Sequence, residues 1–220
     1  MIKTTKWGRN WQYLYVKFCP MKLSYFFGLI LWIVLGQSCQ HNPGSAPAES
    51  TAVVNLDSLR ILGAEVANTS QKALLAQVTQ SLSTQGPIGT ISFCHESVAG
   101  LMDSLSRAAG YSIQRISDRP RNPANRANDR ELALIDHFKQ QKTPADTLLS
   151  EGDGPTYYKP ILLGLEACLQ CHGTPQAQGG IQAATLEKLS TLYPVDEARN
   201  YQLGEVRGAW KIRFKSPSAQ

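Results

Sequence analysis

Residues 168–172 read Cys-Leu-Gln-Cys-His, and no other stretch constrains the chain as tightly. Two thiols three positions apart fall on one helical turn, and the residue after the second carries an imidazole. This C-x-x-C-H form is read as an attachment site for one c-type haem. The thiols Cys168 and Cys171 would add to the two vinyl groups on one porphyrin edge, and His172 would stand over one face of the iron. The fold must then either bring a second side chain to the other face or leave that face open. Rival readings need more than the chain offers. A zinc site takes four ligands, yet no second C-x-x-C or H-x-H pair exists, so Cys94-His95 would have to complete it. A thioredoxin-type dithiol belongs at the start of a helix after a first strand and has no use for the histidine. A plain disulfide is the remaining alternative.

The chain's 220 residues carry a formal charge of +5, but the first 38 hold five bases (Lys3, Lys6, Arg9, Lys17, Lys22) and no acid. The remainder has seventeen of each sign and is neutral, which gives no electrostatic reason to expect a nucleic-acid surface. Lys22 followed by the apolar run 25–35 reads as a secretory leader, with Met21 as a possible true start. The run is shorter than the roughly 20 apolar residues of a membrane span. It closes on Gly36-Gln37-Ser38-Cys39, similar to a bacterial lipoprotein cleavage site, although Leu35 stands one place further from the cysteine than usual. Residues 1–38 are therefore expected to be the leader, Cys39 the lipidated residue, 39–54 a Pro/Ser/Ala-rich tether, and 55–216 the haem domain. An ordinary cleaved signal or an uncleaved anchor are the alternatives, and each of these sends the domain out of the cytoplasm. With Cys19 in the leader, Cys94 is the one thiol left over. It is either a small core residue or the second iron ligand.

Along the domain, Asp57 or Ser58 can cap a helix whose apolar residues Leu59, Leu62, Val66, Leu74, Val78 and Leu82 recur every three or four positions. Gly86-Pro87 breaks it and opens a second helix with Ile91, Cys94, Val98, Leu101, Met102 and Leu105 on one face, ending at Gly110. Residues 111–117 form a short strand, and an Arg/Pro-rich loop (119–125) follows. A third helix has Asn128 and Glu131 at capping-box spacing, with Leu132, Ile135 and Phe138 inward. Residues 147–149 and 156–163 read as strands around the turn 151–154, and 183–192 as a helix. Residues 205–214 read as a half-buried strand with Val206, Gly208, Trp210, Ile212 and Phe214 on one face. The class is α+β, with helices before the sheet.

For the second iron ligand the residues leave Cys94, His95, Met102, His137, His41 or nothing. Cys94 and His95 are adjacent on one helix, hence about 100° apart, so only one can face the pocket. The apolar stripe turns Cys94 inward and His95 to the flank. Met102 shares the stripe and can touch the porphyrin, though a methionine there is usually core. His137 lies between core positions and reads as exposed, and His41 lies in the tether. Arg115, Arg119, Arg121 and Arg126 can neutralise the haem propionates, or simply line a solvated turn.

Several of these pieces resemble a family of secreted, PAS-like c-type haem proteins, which also occur as the extracytoplasmic part of bacterial signalling proteins. The matching residues are the helix bearing Cys94, Arg115-x-Ser117, Arg121-Asn122-Pro123-x-Asn125 and Glu131. They continue with Cys168-Leu169-x-Cys171-His172-Gly173, Tyr193-Pro194-x-Asp196-x-Ala198 and 204–209 (Gly-Glu-Val-Arg-Gly-Ala). Ala127 and Arg130 depart from the family, which often has Pro and an aromatic there. The resemblance implies His172 and Cys94 as the iron ligands, and a PAS-like antiparallel sheet with flanking helices.

A thiolate ligand favours ferric over ferrous iron and lowers the potential. It also fills the sixth site, which argues against a resting peroxidase. The expected function is an exported, membrane-anchored lipoprotein that passes electrons to a redox partner or senses redox state. A gas-sensing module acting through a signalling partner, and a haem peroxidase with an open sixth site, are the alternatives. Little follows Phe214, so any signalling output would belong to another protein.

Overall fold

A computed structural model describes residues 55–152 and 154–214. The leader, Cys19, Cys39, His41 and the tether lie outside the described residues, as does Asp153 of the turn at 151–154.

Helix α1 (Leu56–Glu96) starts at Asn55, whose side chain accepts from the amides of Asp57 (3.0 Å) and Ser58 (3.2 Å). The cap therefore precedes the Asp57/Ser58 position expected from sequence, and Asp57 instead lies in the first turn, where the helix dipole favours an acid. The helix is interrupted at Gly86 (φ 66°) ahead of Pro87, where the break was expected. Before this kink α1 lies on the sheet through Leu59, Gly63, Ala67 and Leu74. Beyond it, Ile91 packs on Ile181, Leu189 and Tyr193, so the kink delivers the turn bearing Cys94 to a different neighbourhood.

The stripe from Ile91 to Leu105 does not stay on one helix. Ser97 (φ −113°, ψ −27°) separates α1 from α2 (Val98–Ala109), so Cys94 and Met102 sit on different elements. Helix α2 ends at Gly110 in the left-handed conformation, as expected.

The four strands are β1 (Ser112–Ile116), β2 (Thr147–Glu151), β3 (Gly154–Leu162) and β4 (Val206–Arg213). They pair antiparallel in the order β1-β4-β3-β2. One face, with Ile113, Tyr157, Trp210 and Ile212, lies under α1 and α2. The other, with Ile116, Tyr158, Val206 and Ala209, packs on Ile135 and Phe138 of α3 (Asp129–Gln140). The expected capping box of α3 is formed, Asn128 and Glu131 each accepting from the other's backbone amide at 3.0 Å. Two further helices follow β3, α4 (Leu169–His172) and α5 (Ala183–Leu192). The architecture is α+β, with an antiparallel sheet, flanking helices and an N-terminal helix ahead of the sheet. No helix among the described residues is long and apolar enough to cross a membrane.

Strand β4 corrects the expectation of a half-buried strand with one apolar face. It is an inner strand covered on both sides, and Gly208 through Ile212 are all buried. A bulge also interrupts its pairing with β3, where Ile161 opposes Gly208 but Leu162 opposes Val206. The extra residue turns Val206 to the α3 face while Trp210 keeps to the α1 face. Lys211 meets the α3 face too, and there its ammonium pairs with the carboxylate of Glu131, both residues being buried.

Two expectations for stability follow from β4. Gly208 has φ 151°, and a Cβ there would lie 2.2 Å from the Ile116 carbonyl oxygen. Gly208→Ala should therefore cost about 3 kcal/mol, read as a lowered urea midpoint. Lys211→Met strands a buried carboxylate and should cost roughly 3–5 kcal/mol. Adding Glu131→Gln, which keeps the capping oxygen and removes the charge, should recover most of that loss in the same urea titration; no recovery would mean the pair is not what couples α3 to β4.

Candidate functional site

The C-x-x-C-H residues lie where a tight turn (Glu166–Cys168) runs into α4. Cys168 packs beside Leu163, Ala198 and Tyr201, and Cys171 beside Ile91, Ile181, Leu189 and Tyr193. Gly173 ends α4 by donating to the Leu169 carbonyl at 2.9 Å, and a Cβ there would sit 2.7 Å from that oxygen. This is a steric reason for the glycine after the histidine.

The segment 193–201 holds the motif from outside. The amides of Asn200 and Tyr201 donate to the carbonyls of Gly173 and His172, each at 3.0 Å. His172 Nδ1 lies 3.0 Å from the Ala198 carbonyl oxygen. A carbonyl can only accept, so Nδ1 carries the proton and Nε2 presents a lone pair. Burial holds the imidazole well below its ordinary pKa, and the Arg121 and Arg207 guanidiniums add to that effect. The ring is therefore neutral, the form that binds a metal. Tyr201 stands edge-on to it with centroids 6.4 Å apart.

Arg121 occupies the centre of this arrangement. Its Nε donates to Asp196 Oδ1 (3.1 Å), and its Nη2 donates to the carbonyls of Cys171 (2.6 Å) and Ala198 (3.2 Å). Asp196 Oδ1 also accepts from the Ala198 amide at 2.9 Å, which fixes the carbonyl that orients His172. Neither alternative drawn from the sequence describes Arg121, whose contacts are internal struts of the motif. The rest of the loop is equally ordered. Asn122 caps the turn Pro123–Asn125, and Ser117 exchanges backbone hydrogen bonds with Asn125 and Ala127 at 2.9 Å. Arg119 stacks on the Tyr201 ring at 3.7 Å, and Arg126 pairs with Glu197 at the surface.

Cys94 is brought to this same region. Burial pushes its thiol up, against the pull of the Arg115 and Arg121 charges. Burial likewise pushes Cys171 up to about 11, opposed by Arg121 and reinforced by Cys94, so the two sulfurs are within electrostatic reach of each other. His95 is exposed and lies edge-on to Tyr193 with centroids 5.1 Å apart. Met102 packs against the sheet cluster of Ile113 and Trp210, away from the residues around Cys168 and Cys171. His137 is exposed and hydrogen-bonds Gln141. Sequence reasoning did not single out Asp196, Tyr201 or Arg207 as site residues. Asp196 and Arg207 do lie inside matching motifs, whereas the part played by Ala198 is its backbone carbonyl, which leaves no side-chain signature.

Among the described residues no cluster of three or more His, Cys, Asp or Glu side chains is arranged to hold a metal ion, so the four-ligand zinc site weighed above is not formed. A haem needs only one or two protein ligands, because the porphyrin supplies the other four. Two further observations fit it. Cys168 and Cys171 are free thiols on one turn. The Nε of Arg115 is buried beside Cys94 with no hydrogen-bond partner, as expected where an anionic group belongs.

Residues 47–215 match the family model described as Tll0287-like. None of the curated proteins matches the chain. Among solved structures it is similar to the crystal structure of the cyanobacterial heme-protein Tll0287, with a TM-score of 0.51 and 18% identity over 73% of this chain and 94% of that one. At that identity the likeness speaks for the fold, and the family match covers most of the chain. The chain belongs to the Tll0287-like family, the family of PAS-like haem proteins that its motifs resemble.

Proposed function

We propose that the chain is an extracytoplasmic lipoprotein holding one c-type haem through Cys168 and Cys171, with His172 and Cys94 as iron ligands, and that it passes or senses single electrons. The observation that carries this reading is the meeting of two separate elements. The end of α1, where Ile91 packs on Cys171 and Cys94 is within electrostatic reach of it, meets the α4 turn that carries His172, and the imidazole there is neutral with Nε2 free. The solved relative is called a heme-protein, which supports the same reading.

When bound, the haem supplies a one-electron ferric/ferrous couple. The protein's own residues do the rest. Ala198 and Asp196 orient His172, Arg121 braces the motif backbone, and Cys94 offers an anionic donor that lowers the potential. With His172 and Cys94 both holding the iron, electron exchange would be favoured over peroxide or dioxygen chemistry. Attachment outside the cytoplasm agrees with the leader, and Cys39 would hold the domain on a membrane.

The first experiment is expression of the full chain with haem-attachment machinery, followed by mass, visible and EPR spectra. The parent should carry covalent haem, low-spin in the ferric state with a thiolate signature. Cys94→Ser should keep the covalent haem and lose that signature. A high-spin, five-coordinate parent would overturn Cys94 ligation and bring the peroxidase reading forward. Cys39→Ser should move the protein from the membrane to the soluble exported fraction and abolish lipid labelling; a membrane-bound, unlabelled parent would point instead to an uncleaved anchor.

A further inference from the structure

Arg115, Arg121 and Arg207 are partly buried around the C-x-x-C-H turn, and of these only Arg121 has a carboxylate partner. Arg121 pairs with Asp196. Among the described residues no carboxylate lies within ion-pair distance of Arg115 or Arg207. A buried cation without a counter-charge is costly, and two side by side repel.

Arg115 lies on β1 two residues after Ile113, so it shares the sheet face under α1 and α2. Its Nε is buried and makes no hydrogen bond. Arg207 lies on the adjacent strand β4, where it is the extra residue of the bulge against β3. Its Nη1 donates to Ser117 Oγ at 2.6 Å and lies 3.5 Å from the Tyr201 hydroxyl, and its guanidinium carbon stands 5.3 Å from the Tyr201 ring centroid. Tyr201 in turn flanks His172, so the Arg207 head lies beside the motif. Ser117 Oγ itself donates to the Arg207 carbonyl at 2.9 Å, which ties the arginine at both its backbone and its head group to the residue that follows β1. Burial depresses both guanidiniums, and the charge of Arg207 adds to the effect at Arg115 as that of Arg121 does at Arg207.

We propose that Arg115 and Arg207 together form the seat for the two propionate carboxylates of the haem, with Ser117 and Tyr201 holding Arg207 in place. The inference rests on the haem reading above; of the four arginines that the sequence suggested for the propionates it keeps Arg115, and it replaces Arg119, Arg121 and Arg126 with Arg207. Two unmatched cations meet two carboxylates, so charge balances when the group is bound. Arg115-x-Ser117 also gains a physical reason, since alternate strand residues supply one cation and the anchor of the other. Near the haem both guanidiniums favour the reduced state, opposing the downward pull of a thiolate, and they hold the propionates ionised.

The test uses the haem-loaded full chain with Arg115→Gln, Arg207→Gln, Arg207→Lys and the exposed control Lys142→Gln, measuring haem content and midpoint potential against pH. Both Gln variants should retain covalent haem with a midpoint below the parent's. The pH at which the potential begins to fall should move up, because a carboxylate that loses its cation ionises at higher pH. Arg207→Lys should restore most of the shift, which a purely packing role would not. Haem-loaded Gln variants whose potential and pH profile overlay those of the parent and the control would overturn the seat. If Arg207→Gln fails to accumulate, Arg115→Gln decides, since the Arg115 Nε makes no hydrogen bond that the substitution would remove. A parent that takes up no haem overturns the haem reading itself, an outcome distinct from a loaded parent with unmoved variants.

Discussion

The contact between Arg121 and Asp196 joins three pieces of chain that lie far apart in sequence, and the rest of the site is hung from it. Arg121 belongs to the loop after β1, Asp196 to the segment before β4, and the Cys171 carbonyl that Arg121 also reaches belongs to α4. The Asp196 side chain is fully buried and that of Arg121 nearly so (0% and 11% exposed). Such a pair gains little net stability, because desolvating both ions offsets most of their attraction. What it contributes is position. Asp196 holds the Ala198 amide, the Ala198 carbonyl holds His172 Nδ1, and the imidazole is left with one tautomer and one orientation.

The two faces of the sheet solve different problems. On the α3 side, Glu131 caps its own helix and neutralises Lys211, so one side chain satisfies a helix end and a buried ammonium together. On the α1 side, close approach depends on small residues. Gly63, Ala67 and Ser70 are the buried positions of α1 there, and a Cβ at Gly63 would lie 2.4 Å from the Tyr157 ring. The larger residues Leu59, Leu62 and Leu74 flank that line and are only partly buried. Resting the first part of α1 this low on the sheet, and then kinking at Gly86, is what allows a single element to serve as both core wall and site wall.

What could be read from the sequence divides along the same physical lines. Caps, breaks and turns depend on a few local residues, so the α3 box, the Gly110 stop and the kink at Gly86-Pro87 were legible. The ladder partners of β4 were not. Its apolar alternation looks the same for an edge strand and an inner one, and a bulge that moves Val206 to the opposite face leaves no periodic mark. The break at Ser97 was hidden too, because the apolar spacing runs on through it as if one helix continued. That continuity made Met102 look like a neighbour of Cys94, when the chain turns between them.

Charge explains why the arginines were the hardest part of the site to assign. In sequence, Arg115, Arg119, Arg121 and Arg126 are four equivalent cations around one loop. In the fold they divide by what surrounds each head group. Arg126 meets an exposed acid, Arg119 stacks on a ring, Arg121 is filled by an acid and two carbonyls, and Arg115 has a buried Nε left unsatisfied. Arg207 joins Arg115 only because β1 and β4 are neighbours, a pairing set by the crossover from the first strand to the last. An arginine is a candidate ligand for an anion when the fold has given it no other partner, and that condition is a property of the packed structure. Cys94 obeys the same logic. A small inward-facing thiol on an apolar stripe has the same pattern whether it fills a core or meets a metal, and it is its arrival beside Cys171 and the unmatched cations that favours the second role.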